Sequence, residues 1–360
     1  MPRYEEEAHA RELLALLELR FARPSAPVAL AMEGAGVHWH VDARAGARSC
    51  RVHTFHYNRE GAEYYLVLSE GEGAPALAKG RTRSLDVVPH VLQAWLLDET
   101  PLHELYSRFP FIDRQKRALE ALRGKVDVVL ERLGSSRRCS FKREIGDFYT
   151  LTVEGDGRSC ELEAPQPGSE ARCTFSHLGT NLAVGATSDV DALATAVGQW
   201  LDSGARVDPL TREFSFVQGE PHASSYEQGR YAEWLWDFHI AHARRSQASG
   251  SWDPMVAHLP LLERMARHPT IRRFFVFTSH EVLCFSRCPV YPFSTAGLPA
   301  VIPDQRSRAP GAGSGLARYT VRASDRKLEG SAEEVLQFVE EILTAEGDTT
   351  FYGSVERRES

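Results

Sequence analysis

Three histidines near the start of the chain have the spacing of a metal site. His38 and His40 flank Trp39 in a stretch with a period of two, so on a β-strand both imidazoles project from one face. A turn centred near Gly46 would place His53 opposite His40. Three neutral imidazoles on one face can bind zinc and leave a coordination position open, as catalytic zinc sites do. The alternative is a solvent-facing strand rich in histidine, since a one-residue shift of register would divide the set between two faces.

A second group with chemical potential is Ser279, His280 and Cys284, with Cys288 four residues further on. A cysteine nucleophile needs a neighbouring base or cation that lowers its pKa, and His280 is the nearest base in the sequence. Four residues of strand separate side chains by roughly 13 Å, so His280 reaches Cys284 only if the chain turns. The alternative is that both cysteines are small apolar residues in a sheet.

A third group is aromatic and would bind a partner rather than catalyse a reaction. Trp234, Trp236 and Phe238 lie in a stretch with helical periodicity. Such a stripe either anchors a partner or belongs to the core. Because Trp236 lies nearer the side opposite to Trp234 and Phe238, its exposure would favour partner binding.

The elements that must position these residues include an internal duplication. Residues 77–112 align with residues 182–217 without a gap, and ten of the thirty-six positions are identical. The identical pairs are Leu77/Leu182, Ala78/Ala183, Gly80/Gly185, Thr82/Thr187, Asp86/Asp191, Trp95/Trp200, Leu96/Leu201, Leu105/Leu210, Phe109/Phe214 and Phe111/Phe216. None of these types suits acid–base or nucleophilic chemistry, so the repeat describes architecture.

Each copy has a run of short strands followed by one helix. Ser84 in the first copy and Asp189 in the second are predicted N-caps of helices that end near Leu97 and Leu201. A third run of strands is followed by a capping box that begins at Ser331. Runs of strands closed by a helix predict an α+β fold with antiparallel sheets.

The predicted organisation is therefore tandem α+β units with an N-terminal helix and a helical connector. We expect a first unit with the N-terminal helix at residues 1–125 and its internal duplicate at residues 126–222. The connector and a third unit follow at residues 223–360.

Composition narrows the class of protein. The net charge is −7 and no block of five or six like charges occurs, so a nucleic-acid partner is not expected. Six cysteines in 360 residues are too few for a disulfide-stapled fold, and no apolar signal region precedes them, which favours the cytoplasm. No apolar run approaches the length of a membrane-spanning helix, so a membrane partner is not expected either.

The third segment resembles a known family. The resemblance is carried by Leu262–His268, Pro269, Arg272–His280 (RRFFVFTSH), Leu283–Arg287 (LCFSR), Tyr291–Phe293 and Arg318–Val321. These runs are similar to a bacterial family with a domain of unknown function, whose members are labelled natural product biosynthesis proteins. The matching polar positions make Ser279, His280, Ser286 and Arg287 candidate site residues. The resemblance implies no reaction, cofactor or catalytic residue.

Taken together, these patterns favour a non-catalytic accessory or binding protein, with no cofactor, that binds a peptide, a protein or a pathway intermediate. One alternative is an enzyme with zinc at His38, His40 and His53 or with Cys284 as a thiol nucleophile. Another is a protective partner of a toxin, which would require an exposed acidic or aromatic patch.

Overall fold

The computed structural model describes residues 5–22, 28–57, 61–71, 73–143, 149–251, 253–304, 318–347 and 349–353. They form an α+β protein with three antiparallel sheets, as the runs of strands predicted. The chain divides into two compact bodies, one comprising Met1–Ala121 with Ala164–Ser169 and the other comprising Leu122–Glu163 with Glu170–Ser360. No helix in the described ranges is both long and apolar enough to cross a bilayer.

The first body is a five-stranded antiparallel meander with helices before and after it. Its strands follow one another in the sheet in chain order, β1 to β5. The elements are α1 (Glu5–Phe21), β1 (Ala29–Ala35), β2 (His38–Ala45), β3 (Arg48–Tyr57), β4 (Gly61–Glu70), β5 (Ala78–Thr82), α2 (Val87–Leu92) and α3 (Leu102–Arg108). A π-helical turn at Gln93–Leu97 extends α2, and α3 is followed by α4 (Arg114–Arg132), whose residues from Leu122 onward belong to the second body.

The core of this body lies between the sheet and its helices. Leu13 and Leu17 of α1 and Val41, Val52 and Leu66 of the sheet are completely buried. They share one apolar cluster, which is the expected use of the alternating inward positions of the strands. The predicted N-terminal helix is confirmed.

Two local predictions in this body need correction. Strand β1 was not predicted, because Ala29–Ala35 contains alanine, methionine, glutamate and glycine instead of the β-branched residues typical of strands. Ser84 is not an N-cap. Its carbonyl accepts from the Val87 N–H in a turn, and α2 begins at Val87 with Asp86 at the N-cap position.

The second body contains the other two sheets and the helical connector. The second sheet has the order β11-β10-β9-β8-β7-β6 and the third has the order β12-β13-β14-β15-β16. The second sheet and its helices are β6 (Ser140–Arg143), β7 (Tyr149–Gly155), β8 (Arg158–Glu163), β9 (Ala171–His177), β10 (Thr180–Thr187), α5 (Val190–Leu201), α6 (Val207–Glu213) and β11 (Val217–Gly219). The connector is α7 (Ala223–Glu227), α8 (Tyr231–Ser249) and α9 (Leu259–Met265).

The third sheet is closed by a helix, as in the other units. Its elements are β12 (Phe275–Ser279), β13 (Val282–Ser286), β14 (Ala300–Pro303), β15 (Arg318–Ala323), β16 (Arg326–Ser331) and α10 (Ala332–Glu346). The predicted capping box is present: Ser331 Oγ accepts from the Glu334 N–H at 3.4 Å, and a Glu334 carboxylate oxygen accepts from the Ser331 N–H at 2.7 Å. Asp189 likewise caps α5, accepting from the Ala192 N–H at 3.0 Å.

The tryptophans that align in the duplication make the same contacts. Trp200 Nε1 donates to the Ser159 carbonyl at 3.1 Å, and the guanidinium of Arg158 lies 4.1 Å from the ring centroid while donating to the Trp200 and Ala205 carbonyls. In the first body Trp95 Nε1 donates to the Ser49 carbonyl at 3.0 Å. The guanidinium of Arg48 lies 4.2 Å from the centroid of the Trp95 ring and donates to the Trp95 and Thr100 carbonyls. Each arginine therefore satisfies carbonyls at the end of the helix that packs on its sheet.

The aligned glycines have equivalent surroundings as well. A β-carbon at Gly80 would lie 3.0 Å from the Phe111 ring, and one at Gly185 would lie 3.1 Å from the Phe216 ring and 2.9 Å from the Phe216 carbonyl oxygen. Gly80 forms a β-bridge with Ile112, and Gly185 pairs with Val217. In both copies the chain that follows the Phe-x-Phe element thus packs against a strand, and the strand residue that it contacts, Gly80 or Gly185, has little room for a side chain.

Candidate functional site

The histidine face of the first body has the predicted register. The β2–β3 hairpin turns at Gly46, and His40 lies directly opposite His53 with ring centroids 5.3 Å apart. His53 also contacts the ring of Tyr65 on β4, at 5.9 Å. His38 is exposed at the start of β2. His53 thus forms part of a row of rings across the strands.

The group best placed to hold a cation on this face differs from the predicted trio. Potential ligand atoms of Glu33, His40 and Asp42 lie within 4.8 Å of one another. His40 Nε2 is 3.8 Å from Glu33 Oε2 and 4.0 Å from Asp42 Oδ2, and it has no hydrogen-bond partner among the described residues. The carboxylates come from β1, which the sequence did not predict, and from β2.

The electrostatics of this face limit its metal chemistry. Burial, with the charges of His40 and Arg51, lowers the pKa of His53 to about 4, so its imidazole is neutral near pH 7. Burial opposes ionisation of Asp42, but two hydrogen bonds from Arg51, at 2.8 and 2.9 Å, and the charges of nearby groups keep the pKa of Asp42 below its usual value. The Asp42 carboxylate is therefore already neutralised by a bidentate arginine.

The predicted thiol group lies on the hairpin of β12 and β13. Ser279 pairs with Val282, so His280 falls in the two-residue turn, with a positive φ of 57° and an exposed side chain. Cys284 is half-buried, and burial raises its pKa, partly offset by a backbone hydrogen bond from Ser279. A raised pKa keeps the thiol protonated and disfavours Cys284 as a nucleophile.

Two of the polar candidates from the resemblance maintain local structure. Ser286 is completely buried, and its hydroxyl donates to the Cys288 carbonyl at 2.7 Å. Arg287 forms an ion pair with Glu346 of α10 and donates to Thr349 Oγ1 at 3.1 Å and to the Ala296 carbonyl at 2.8 Å. Both side chains hold the end of β13 against its neighbours instead of facing an open surface.

Trp236 is a core residue, which corrects its prediction as a binding residue. Its side chain is completely buried, and Nε1 donates to the Phe274 carbonyl at 3.1 Å. The accessible aromatic face of α8 is the opposite one. Trp234 stacks on Phe238 with ring centroids 4.9 Å apart, and Phe238 is 42% exposed.

Two cavities of the second body share Gly229 and Tyr352 in their linings; together we call them the tyrosine cleft, with the smaller one named the inner and the larger one the outer cavity. The inner cavity has a volume of about 370 Å³ and the outer one about 570 Å³. The inner cavity is lined by Arg158, His177, Leu178, Leu182, Arg206, Tyr226 and Glu227. The outer cavity is lined by Arg230, Ala232, Glu233, Arg267, Pro269, Arg272, Arg273, Phe275, Thr350 and Phe351.

The polar groups of the inner cavity are held by the fold. Tyr226 donates to the His177 carbonyl at 3.0 Å, and Glu227 accepts from the Val207 N–H at 2.8 Å. Burial raises the pKa of Tyr226 well above its ordinary value, so its hydroxyl stays protonated. Tyr352 lies edge-on to Tyr226, with centroids 4.9 Å apart. The Tyr226 hydroxyl also lies 3.2 Å from Nδ1 of His177, so these contacts give a preorganised aromatic wall.

The outer cavity is rich in arginine. Its described lining includes four arginines and one carboxylate, that of Glu233. Arg272 lies 3.3 Å from Asp237 and 3.9 Å from Glu233, and Arg230 bonds to Gln228. Arg267 and Arg273 are exposed, and neither has an ion-pair partner among the described residues.

Sequence reasoning did not identify this cleft. Its walls come from β8, α7, α8, the turn before β12 and the segment after α10, which lie far apart in the sequence. One usable signal was present: the triplet Arg-Ser-Cys occurs at 48–50 and at 158–160, which marks Arg158 as part of the duplication. The arginines of the outer cavity have no such signal, because isolated charges near a turn are typical of any surface.

Comparison with known proteins gives one finding. Residues 233–310 match a family of unknown function, DUF6193. The match covers most of α8 and continues through β14, so it includes Arg267, Arg272 and Arg273, and it agrees with a domain of unknown function in the third segment. No curated protein and no solved structure matches the chain.

Proposed function

We propose that the protein is a non-catalytic accessory or binding protein that holds a peptide, a protein segment or a pathway intermediate in the tyrosine cleft. The observation that carries this proposal is the pair of adjoining cavities with an aromatic wall. Their volumes, about 370 and 570 Å³, fall in the range of small-ligand sites. The resemblance of the third segment suggests a natural-product pathway as the setting. The cysteine content and the charge and hydropathy patterns favour the cytoplasm, with neither nucleic acid nor membrane as partner.

A binding role fits the chemistry of the lining better than catalysis does. The hydroxyl of Tyr226 and the carboxylate of Glu227 are engaged with backbone groups, so they orient the walls. Tyr352 is half-buried and forms ring contacts with Tyr226 and Phe275. Such a ring offers a flat apolar surface at a small cost in side-chain entropy, which is typical of recognition sites.

The first test is a fragment screen by protein-observed NMR with the full chain. We expect hits to perturb amides around Gly229 and Tyr352, and Tyr352→Ala to weaken them by about tenfold, the loss typical of a recognition ring. Phe238→Ala, which removes a partly exposed ring outside the cleft lining, is the matched control. Hits that map elsewhere, or that survive Tyr352→Ala unchanged, would contradict the proposed function.

A second candidate is a zinc-dependent activity on the histidine face. The observation that favours it is His40 Nε2, a buried atom without a hydrogen-bond partner that lies near the carboxylates of Glu33 and Asp42. The bidentate pairing of Asp42 with Arg51 opposes it, because a metal would have to compete with the guanidinium.

Elemental analysis of the purified, tag-free protein tests the zinc candidate. One zinc per chain that is lost in His40→Ala would establish the site and direct assays to metal-assisted hydrolysis. His103→Ala, which removes a histidine with a side chain 81% exposed, is the matched control. Zinc retained in His40→Ala, or a protein that takes up no zinc after incubation and dialysis, would eliminate the candidate.

A further inference from the structure

The outer cavity of the tyrosine cleft carries more positive charge than its surroundings explain. The whole chain has a net charge of −7, yet four of the described residues that line this cavity are arginines and only one is acidic. Asp237 and Glu233 compensate Arg272, whereas Arg267 and Arg273 have no such partner among the described residues. Like charges that converge without compensation repel one another, so their placement favours an anionic ligand.

The backbone that carries these arginines is anchored in the core. Ile271 and Phe274 on either side of Arg272 and Arg273 are 0% and 1% exposed. The Arg272 N–H donates to the His268 carbonyl at 3.0 Å, and the His268 side chain lies 3.0 Å from a carboxylate oxygen of Glu340. The guanidinium groups are therefore tethered to a fixed turn, which lowers the entropy lost when they bind.

One hydrogen-bond donor in this cluster also lacks an acceptor. Arg272 Nε is buried and has no hydrogen-bond partner among the described residues. A buried donor of a charged group is costly to leave unsatisfied. The planar donor fork of arginine matches the oxygens of a carboxylate or phosphate group.

The aromatic wall adjoins this charge. Phe275 and Tyr352 both line the outer cavity, with ring centroids 5.8 Å apart. Tyr352 also lines the inner cavity, where Leu178 and Leu182 provide further apolar surface. A ligand that occupies both cavities would carry its anionic group at the arginines and a ring or apolar group at the tyrosines.

We infer that the tyrosine cleft binds an anionic small molecule, with a carboxylate or phosphate group at Arg267, Arg272 and Arg273 and a flat apolar group against Tyr352. The inference rests on the proposed function and narrows it to a ligand class. Charge complementarity and the volumes of the cavities, about 370 and 570 Å³, favour a small molecule over a polypeptide.

The test uses phenyl phosphate as the anionic probe, phenol as its neutral counterpart and a hexaglutamate peptide as the polypeptide. Calorimetry with the full chain is expected to show binding of phenyl phosphate that is at least about tenfold tighter than binding of phenol, and that weakens as salt rises. The double variant Arg267→Gln/Arg273→Gln should lose about tenfold in affinity for phenyl phosphate. Arg245→Gln, an exposed arginine of α8 outside the cleft lining, is the control and should change affinity by less than about twofold.

Each contrary outcome has a defined meaning. The inference is overturned if Arg245→Gln lowers the affinity for phenyl phosphate as much as the double variant does, if phenol binds as tightly as phenyl phosphate, or if phenyl phosphate does not bind. It is also overturned if hexaglutamate binds more tightly than phenyl phosphate, because the site then belongs to an acidic peptide. If phenyl phosphate fails these tests but neutral fragments bind the cleft and lose affinity in Tyr352→Ala, the proposed binding function is retained and only the anionic ligand class is rejected. Because both arginines are exposed, the melting temperature of the double variant should stay near that of the parent, which separates loss of binding from loss of folding.

Discussion

Replacing Trp200 with alanine is expected to lower the free energy of unfolding of the second body by about 3–5 kcal/mol. The ring is completely buried, packs edge-on against Phe175 at 5.9 Å and lies under the Arg158 guanidinium at 4.1 Å. Alanine would leave a cavity and would also remove the indole donor to the Ser159 carbonyl, which is then unsatisfied unless water enters.

Urea denaturation, with hydrogen exchange to localise the effect, measures this loss. Trp200→Ala should accelerate exchange in the second sheet, and Trp95→Ala, its counterpart in the first body, should accelerate exchange in the first sheet by a similar factor. Trp234→Ala is the control, because this ring is only half-buried and should cost markedly less. A loss below about 1 kcal/mol for Trp200→Ala would mean that the stacked arginine and indole do not hold helix and sheet together.

Gly185→Val is expected to lower the free energy of unfolding by about 1–3 kcal/mol and to release β11 from β10. A β-carbon at this position meets the Phe216 carbonyl oxygen at 2.9 Å and the Cys173 sulfur at 3.0 Å. The Phe216 carbonyl immediately precedes Val217, and Val217 is the residue that pairs with Gly185. Because the clash involves this backbone, moving the backbone away from the valine side chain must break the pairing of β11 with β10.

Thermal unfolding and hydrogen exchange at Val217–Gly219 check this expectation. Gly124→Ala in α4 is the matched glycine control, because a β-carbon there meets nothing within 4 Å, and it should raise stability by about 0.5–1 kcal/mol. An unchanged melting temperature and unchanged exchange for Gly185→Val would show that the return of the chain against β10 is not tightly fitted.

Much of the architecture could be predicted, because it depends on local and repeated patterns. The alignment of Trp95 with Trp200 and of Gly80 with Gly185 identified residues whose contacts are equivalent in the structure. The capping box at Ser331 and the opposition of His40 and His53 follow from spacing alone. Periodicity and capping are encoded over a few consecutive residues, so they can be recognised in the sequence alone.

The departures have physical causes. The helix α8 offers two aromatic sides, and periodicity alone does not say which one faces the sheet. Trp236 packs into the apolar cluster of the third sheet, where its Nε1 finds an acceptor in the Phe274 carbonyl, while Phe238 remains partly exposed. Apart from Arg158, which the repeated Arg-Ser-Cys triplet marks, the residues of the tyrosine cleft could not be predicted, because the cleft depends on the packing of segments that are distant in sequence, such as those of Tyr226 and Tyr352.

The fit of the two glycines to their phenylalanines has a consequence for how the two copies can diverge. At Gly80 the closest obstacle is the ring of Phe111, which a smaller side chain would remove, whereas at Gly185 the closest obstacle is a backbone oxygen that no substitution removes. Exchange of Gly80 in the first copy therefore needs a smaller residue at position 111 and, in addition, a small shift of the backbone at Ile112, whose Cα would lie 3.2 Å from the new β-carbon. In the second copy position 185 should remain glycine in every relative, and the two halves of the duplication should evolve under unequal constraint.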